Sequence, residues 1–335
     1  MKVLVVGGAG YIGSNLCLKL TRLGYDLAII DDFRNARRSN ITRLSKAINK
    51  DITVIEGDAC DKGFLDGAFR SVKPDIVVHF GNKKYIGESF DKSLDYYENN
   101  LVSTFNILRM CEKYNVNKLL FASSVSVYAD SNAKIDEQFE REFVSPYNKS
   151  KIMAEEILTD WQKNNKDKVV IITRFTNPVG ASSEGLGDRP KSGKTNVLPY
   201  LIAKVKSGED IVINGGKFPT KDGSAVRDFI HVSDLTSLAA ELIDKVNVAG
   251  TLVVNVGTGG DGYSVKDLID CISKVLDKPI HYTFNESADA GRCKVVVNVD
   301  KLKSKINVNI NYGLEDIINS ELALEQEGED DEEKI

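Results

Sequence analysis

Histidine is scarce in this chain of 335 residues: His79, His231 and His281 are scattered too widely to suggest a metal cluster. The five cysteines, Cys17, Cys60, Cys111, Cys271 and Cys293, are odd in number and form no C-x-x-C pair. Neither a disulfide framework nor a zinc site is expected from them, and they read as the thiols of a reducing compartment. No stretch approaches the ~18 apolar residues of a membrane span, and the apolar run at the N-terminus stops at Gly7-Gly8, too short for a signal-peptide core. A membrane partner is therefore not expected, and the cytoplasm is the expected location. A basic cluster is missing as well. The last fifteen residues carry eight carboxylates and one lysine, so a formal net charge of −5 leaves the rest of the chain nearly neutral. Nucleic acid, whose binders draw affinity from Lys/Arg contacts to phosphates, is not an expected partner.

The length suits two domains, or one large α/β domain with an appendage. Continuous apolar runs of strand length occur at 2–6, 26–30, 52–56, 75–80, 118–123 and 169–174, with helical patterns at 12–23, 64–71, 94–113 and 148–163 between them. Unbroken apolar strands alternating with helices predict a parallel sheet covered on both faces, and right-handed crossovers make it doubly wound, a Rossmann-type α/β fold. Residues 1–176 form this domain, with a return segment at about 229–257. Glycine-rich 177–228 and then 258–320 are expected to form a smaller, discontinuous substrate domain. Residues 321–335 read as an acidic, disordered tail.

Directly after the first strand comes Gly7-Gly8-Ala9-Gly10-Tyr11-Ile12-Gly13. Glycines there let the backbone turn tightly and approach a pyrophosphate, and the following helix offers free N–H groups and the positive end of its dipole. Asp31 ends the next strand, where a carboxylate bonds ribose hydroxyls and repels a 2′-phosphate, so NAD is the expected cofactor. Arg37 and Arg38 are the residues that would accept a phosphate, and they keep NADP as the alternative. Asp58, at the end of the third strand, is placed to accept the adenine amino group or to serve only its turn.

A tyrosine four residues before a lysine on a helix can become a base, because the ammonium favours phenolate. Three pairs have this spacing: Tyr114/Lys118, Tyr147/Lys151 and Tyr200/Lys204. The first straddles a helix end, and the third has no hydroxyl residue upstream on a strand. Only Tyr147/Lys151, opening a helix after Ser145-Pro146, follows a strand that ends in Ser123-Ser124. Ser124 and Tyr147 are thus expected to meet at the carboxyl ends of the strands.

With these residues the chain resembles the extended short-chain dehydrogenase/reductases, and among them the UDP-galactose 4-epimerase (UDP-glucose 4-epimerase) family, over about 1–320. The resemblance rests on the glycine motif, His79-Phe80, Gly87-Glu88-Ser89, Tyr96 to Asn100, Ser145 to Lys151, Asn177-Pro178-Val179-Gly180 and the block from Phe218 to Val232. It implies a homodimeric isomerase, inverting C4 of a nucleotide-linked hexose through a transient 4-keto sugar with NAD recycled in each turnover. Tyr147 would be the acid/base, Lys151 its partner and Ser124 a hydrogen bond to the reacting hydroxyl. Gly7, Gly10, Tyr11, Ile12, Gly13, Asp31, Asp58, Ala59, Phe80, Lys84 and Asn99 would bind cofactor with Tyr147 and Lys151. Lys84, Asn177, Asn196, Arg227 and Arg292 would bind the nucleotide sugar with Ser124 and Tyr147. The dimer would pair the helices at 94–113 and 148–161 through Leu101, Phe105, Leu108, Ile157, Leu158 and Trp161. A small residue at Val295 or Val296 implies room for an N-acetyl group at C2.

The chain also departs from the family. Gly81-Asn82 replaces Ala-Gly, Ala129 a glycine, Phe175-Thr176 an aromatic pair, and the Arg-x-x-Asp that grips diphosphate and ribose is missing from Ala288 to Arg292. Dehydratases and decarboxylases of the same fold, which carry a carboxylate where this chain has Ser124-Val125-Ser126, are alternatives. Nucleotide-sugar oxidoreductases and an inactive NAD-binding scaffold are others.

Overall fold

The computed structural model describes residues 1–193, 196–286 and 291–332, with side chains to residue 325. Its strands are β1 (Lys2–Val6), β2 (Asp26–Asp31), β3 (Thr53–Glu56), β4 (Ile76–His79), β5 (Lys118–Ser124), β6 (Val169–Phe175), β7 (Asn177–Val179), β8 (Ile211–Asn214), β9 (Val226–Arg227), β10 (Phe229–His231), β11 (Gly250–Val256), β12 (Tyr263–Ser264), β13 (Tyr282–Asn285) and β14 (Lys294–Val295). The α-helices are α1 (Tyr11–Arg22), α2 (Arg38–Ile48), α3 (Lys62–Val72), α4 (Ile86–Asp91), α5 (Ser93–Tyr97), α6 (Ser103–Lys113), α7 (Pro146–Asn164), α8 (Val197–Ser207), α9 (Val232–Lys245), α10 (Val265–Leu276), α11 (Asp300–Lys303) and α12 (Leu314–Glu332).

Seven parallel strands form the main sheet in the order β11-β6-β5-β4-β1-β2-β3. The expected doubly wound sheet is present. Alternate residues of each strand enter opposite cores. Val3 and Val5 join Leu16, Leu20 and Leu44 of α1 and α2 on one face, whereas Leu4 and Val6 join Leu65, Phe69 and Ile107 of α3 and α6 on the other. Both faces are therefore dry, which is why these strands read as unbroken apolar runs. The chain order reverses between β1 and β4, and the crevice at their carboxyl ends is where such sheets bind ligands.

Beyond these ends a third core gathers Leu198, Leu201, Phe229, Leu268, Ile272 and Ile317 around α8, α10 and α12. Three small sheets accompany it, β10-β7, β12-β9-β14 and β13-β8. Helix α12 corrects the expectation for the C-terminus. Glu321 and Leu324, assigned by composition to a disordered tail, are 1% and 2% exposed. Leu324 lies over Gly187 so closely that a Cβ there would collide with it. Counting charge over fifteen residues hid the spacing of Ile317, Glu321 and Leu324, which places them on one helical face. Among the described residues, no helix is long and apolar enough to cross a membrane.

Candidate active site

The glycine turn between β1 and α1 is built for backbone contact. Gly7 has φ +80, and a Cβ on it would stand 2.7 Å from the Gly81 nitrogen and 2.8 Å from the Phe80 carbonyl carbon. A Cβ on Gly13 would strike the Gly7 carbonyl oxygen. The turn is thereby pressed against the loop after β4, and α1 begins with its N–H groups aimed over it; Gly10, the N-cap, has no side chain to occupy them. This cradle fits a dinucleotide pyrophosphate. Tyr11 closes the turn from the far side by donating its hydroxyl to the Gly180 carbonyl at 2.6 Å, and Ile12 packs against the sheet core.

Asp31 stands at the end of β2, 8% exposed, and accepts from the Ala9 and Phe33 amides at 3.0 Å each. It braces the glycine turn while presenting an anion at the ribose position. Burial raises its carboxyl above the usual range, and the two amides oppose the rise. The two arginines that would admit a 2′-phosphate are engaged elsewhere. Arg37 donates to the Arg189 carbonyl at 3.1 Å, and Arg38 makes two 2.6 Å bonds to Glu56. Asp58 accepts from Arg34 and from the Cys60 amide, both at 2.8 Å, with buried Ala59 beside it. Phe80 follows β4 and stacks on Phe175, centroids 6.2 Å apart.

A π-helical turn, Glu98–Val102, joins α5 to α6 and carries Asn99. The side-chain oxygens of Asn99 and Asn100 both accept from the Lys83 amide, at 3.0 and 2.8 Å, and so pin the loop that carries Lys84. Lys84 reaches across to Asp188 at 3.1 Å, and Asn196 donates to the other oxygen of the same carboxylate. Asp188 was not singled out from the sequence, yet it joins two of the expected ligand residues.

Ser124 ends β5 as expected, and its Oγ accepts from the Ser126 amide at 3.1 Å. Tyr147 and Lys151 lie one turn apart at the start of α7, which Ser145 caps by accepting from the Asn148 amide at 3.1 Å. The Ser124 and Ser126 hydroxyls face the Tyr147 phenol; burial raises its pKa and the two serines oppose the rise. Lys151 Nζ is 5.9 Å from the Tyr147 ring centroid and donates to the Ala122 carbonyl at 2.7 Å and Asn82 Oδ1 at 2.8 Å. Burial pushes its ammonium down to about 7, opposed by Glu155 one turn along the helix. Glu155 is itself buried and accepts from Arg174 at 2.6 and 3.1 Å and from Ser123 at 2.5 Å. The result is a hydroxyl, a phenol and an ammonium converging where the strands end, an acid/base group with its charge partner.

A cavity of about 360 Å³ opens nearby, lined by Asn177, Asn196, Tyr200, Arg227, Phe229 and Val265 among others. Residues 3–257 match the model of the NAD dependent epimerase/dehydratase family. The chain belongs to that family. UDP-glucose 4-epimerase of Bacillus subtilis (strain 168) is 35% identical over 322 residues, covering 95% of this chain and 94% of that protein. The crystal structure of UDP-glucose 4-epimerase from Bifidobacterium longum in complex with NAD+ and UDP superposes with a TM-score of 0.92, at 32% identity and 98% coverage of both chains. The UDP-Glc/GlcNAc 4-epimerase of Campylobacter jejuni gives 0.83, at 29% identity, over 97% of this chain and 99% of that one. NAD is the cofactor of the family, and the glycine cradle, Asp31 and Lys151 fit it.

The other two Tyr/Lys pairs fall away on geometry. Tyr114 donates to Asp66 at 3.0 Å whereas Lys118 turns to the Ile243 carbonyl and Asn247, at 2.5 and 2.7 Å. Lys204 Nζ lies as near the Tyr200 ring as Lys151 does to that of Tyr147, at 5.9 Å, but it is part-exposed and paired with Glu209, and Tyr200 belongs to the cavity wall rather than to the strand ends. Arg227 Nη2 donates to the Arg292 carbonyl at 2.8 Å, and the Arg292 guanidinium donates to the Ser126 carbonyl at 3.1 Å, beside the loop that follows β5. Ala288, Asp289 and Ala290, where the missing Arg-x-x-Asp would begin, lie outside the described residues. Asn82, Asp188 and Glu155 were not assigned roles from the sequence; the only signal was the family departure at Gly81-Asn82.

Proposed function

We infer that this protein is an isomerase that inverts C4 of a UDP-linked hexose, interconverting UDP-glucose and UDP-galactose with NAD held in the site. The observation that carries the reading is the convergence of Ser124, Tyr147 and Lys151 at the switch-point crevice, with Val125 and Ser126 where dehydratases and decarboxylases need a carboxylate. The family membership and the full-length similarity to UDP-glucose 4-epimerases support it. Held by the glycine turn, Asp31 and Lys151, NAD would supply the hydride acceptor for C4 and the donor for its return, so net redox would be zero. Tyr147 takes the proton of the 4-hydroxyl, and Ser124 bonds the same oxygen. Lys151 keeps positive charge beside the phenolate. Once the 4-keto sugar has turned over within the site, so that hydride would return to the opposite face of C4, Tyr147 returns the proton to the C4 oxygen. Asn177, Asn196 and Arg227 hold the nucleotide diphosphate at the cavity, and Arg292 reaches the site from a shifted register. Purified protein that converts UDP-galactose to UDP-glucose without added cofactor, and releases NAD(H) only on denaturation, is the expected result. Turnover that depends on added NAD or accumulates NADH would contradict it.

We extend this reading to N-acetylhexosamines. Val295 pairs with Arg227 across β14 and β9 and shares an apolar cluster with Val125 and Val127 of the catalytic loop. Val296 packs on the opposite side, where a Cβ on Gly262 would stand 2.6 Å from its Cγ1. Val295 is therefore the residue we place against the C2 substituent. UDP-N-acetylglucosamine should be turned over alongside UDP-glucose, and Val295→Tyr should abolish only the former. A wild-type preference for UDP-glucose of about 10³ in kcat/KM, some 4 kcal/mol, would exclude the roomy pocket.

The dimer and the division into two domains are part of the same proposal, with the substrate domain at 177–228 and 258–320. Phe90, Leu94, Phe105 and Met153 are exposed on α4, α5, α6 and α7, a set of adjacent helices suited to a C2 interface. Leu108 and Leu158, expected there from the sequence, are core residues instead. The cytoplasm is the compartment proposed for the reaction, as its free thiols suggest.

A further inference from the structure

Asn82 stands between the catalytic lysine and a buried imidazole. Its Oδ1 accepts from Lys151 Nζ at 2.8 Å. Its Nδ2 lies 3.2 Å from the Gly81 carbonyl, 3.3 Å from Ser103 Oγ and 3.3 Å from His79 Nε2. The amide is thus anchored on β4 and α6 and turns its carbonyl toward the ammonium. The resembled family has glycine at this position and no side chain to do this.

We propose that Asn82 is a positioning residue for proton transfer at Tyr147, holding the Lys151 ammonium charged and oriented beside the phenol. The proposal rests on the epimerase reading above. Three N–H bonds leave Lys151 Nζ, and Asn82 Oδ1 and the Ala122 carbonyl accept two of them, which leaves one for the site. A flipped amide would set an N–H against the ammonium, so charge on Lys151 fixes the orientation of Asn82. His79 Nε2 lies 3.3 Å from that Nδ2, 3.4 Å from Ser103 Oγ and 3.3 Å from Thr104 Oγ1, so the imidazole closes the network behind Asn82.

Several charged or titratable groups face this point from the surrounding elements. On α7 itself are Tyr147 and Glu155, the latter shared with Arg174 of β6. From β4 comes His79, kept neutral because burial, and then the charge on Lys151, push it down to about 3. Tyr96 of α5 lies near Tyr147 with its hydroxyl on Glu88 of α4 at 2.9 Å. From β5 the Phe121 ring covers Nζ at 4.7 Å. Of these groups, Glu155 favours the charged lysine, while burial disfavours it. Removing the Asn82 acceptor leaves burial less opposed, so Lys151 loses its proton at lower pH, and Tyr147 then ionises at higher pH.

The test compares wild type with Asn82→Gly, the family residue, and with Asn82→Ala in case the glycine loosens the loop. In protein carrying carbon-13-labelled lysine, the Lys151 resonance, assigned by its loss in Lys151→Met, is followed against pH. The pH profile of kcat is measured on UDP-glucose. We expect the Lys151 midpoint to fall by about one unit, the acid limb of kcat to rise by about one unit, and KM to change less than about threefold. A Lys151 midpoint within about 0.3 unit of wild type, or a loss of kcat equal at every pH, would overturn the proposal. Wild type that leaves UDP-glucose unconverted while its Lys151 still responds to Asn82→Gly would instead overturn the epimerase reading, and the role at Tyr147 with it.

Discussion

Tyr147 starts from an unfavourable position, because burial raises its phenol while a base working at neutral pH must lie about 3 units below an ordinary tyrosine, or about 4 kcal/mol. Ser124, Ser126 and the nearby Lys151 all act in the needed direction. Tyr147→Phe should therefore lower kcat by roughly 10²-fold or more while NAD stays bound. Tyr114→Phe, whose hydroxyl serves Asp66 on another helix, should keep nearly full activity by the same assay. Equal losses in both would show that the wrong tyrosine had been chosen. The Tyr147/Lys151 pair was legible because its members are neighbours on one helix after a Ser-Pro start. Asn82 and Asp188 were not, because the contacts that give them meaning span 69 residues to Lys151 and 104 residues to Lys84. No spacing rule reaches that far; only the folded sheet brings these residues together.

Elements were easiest to read where both faces are buried. The strands of the main sheet lie close to the apolar runs, and α1 and α7 close to their periodic patterns, since burial itself writes the pattern. The helix expected at 94–113 is instead α5 and α6 joined by the π-helical turn Glu98–Val102. That extra residue per turn has no hydrophobic signature, yet it aims Asn99 and Asn100 at the loop of Lys83 and Lys84. Helices α4 to α7 also leave Leu94 78% and Phe90 58% exposed, an arrangement that a second copy of the chain would cover. Light scattering at micromolar concentration should give the dimer mass, and Leu94→Lys should shift it toward monomer. A wild-type protein that is already monomeric would exclude the interface.

At the scale of the whole molecule, the doubly wound sheet positions everything else. β11 returns to its edge beside β6, and β7 continues one residue beyond β6 into the small sheet with β10. Tyr147 and Lys151 near the strand ends and the cavity at Arg227 are thereby joined through short connections, although they come from opposite halves of the chain. This is the geometry needed to hold a nucleotide at one end while its sugar turns over at the other. Epimerisation by hydride return requires that the hydrogen on C4 leave and return within the site without meeting water. UDP-glucose deuterated at C4 tests that requirement directly, with the UDP-galactose product analysed by mass spectrometry and NMR. The product should keep its deuterium at C4 with no build-up of reduced cofactor. Deuterium lost to solvent, or trapped in released NADH, would contradict epimerisation by hydride return.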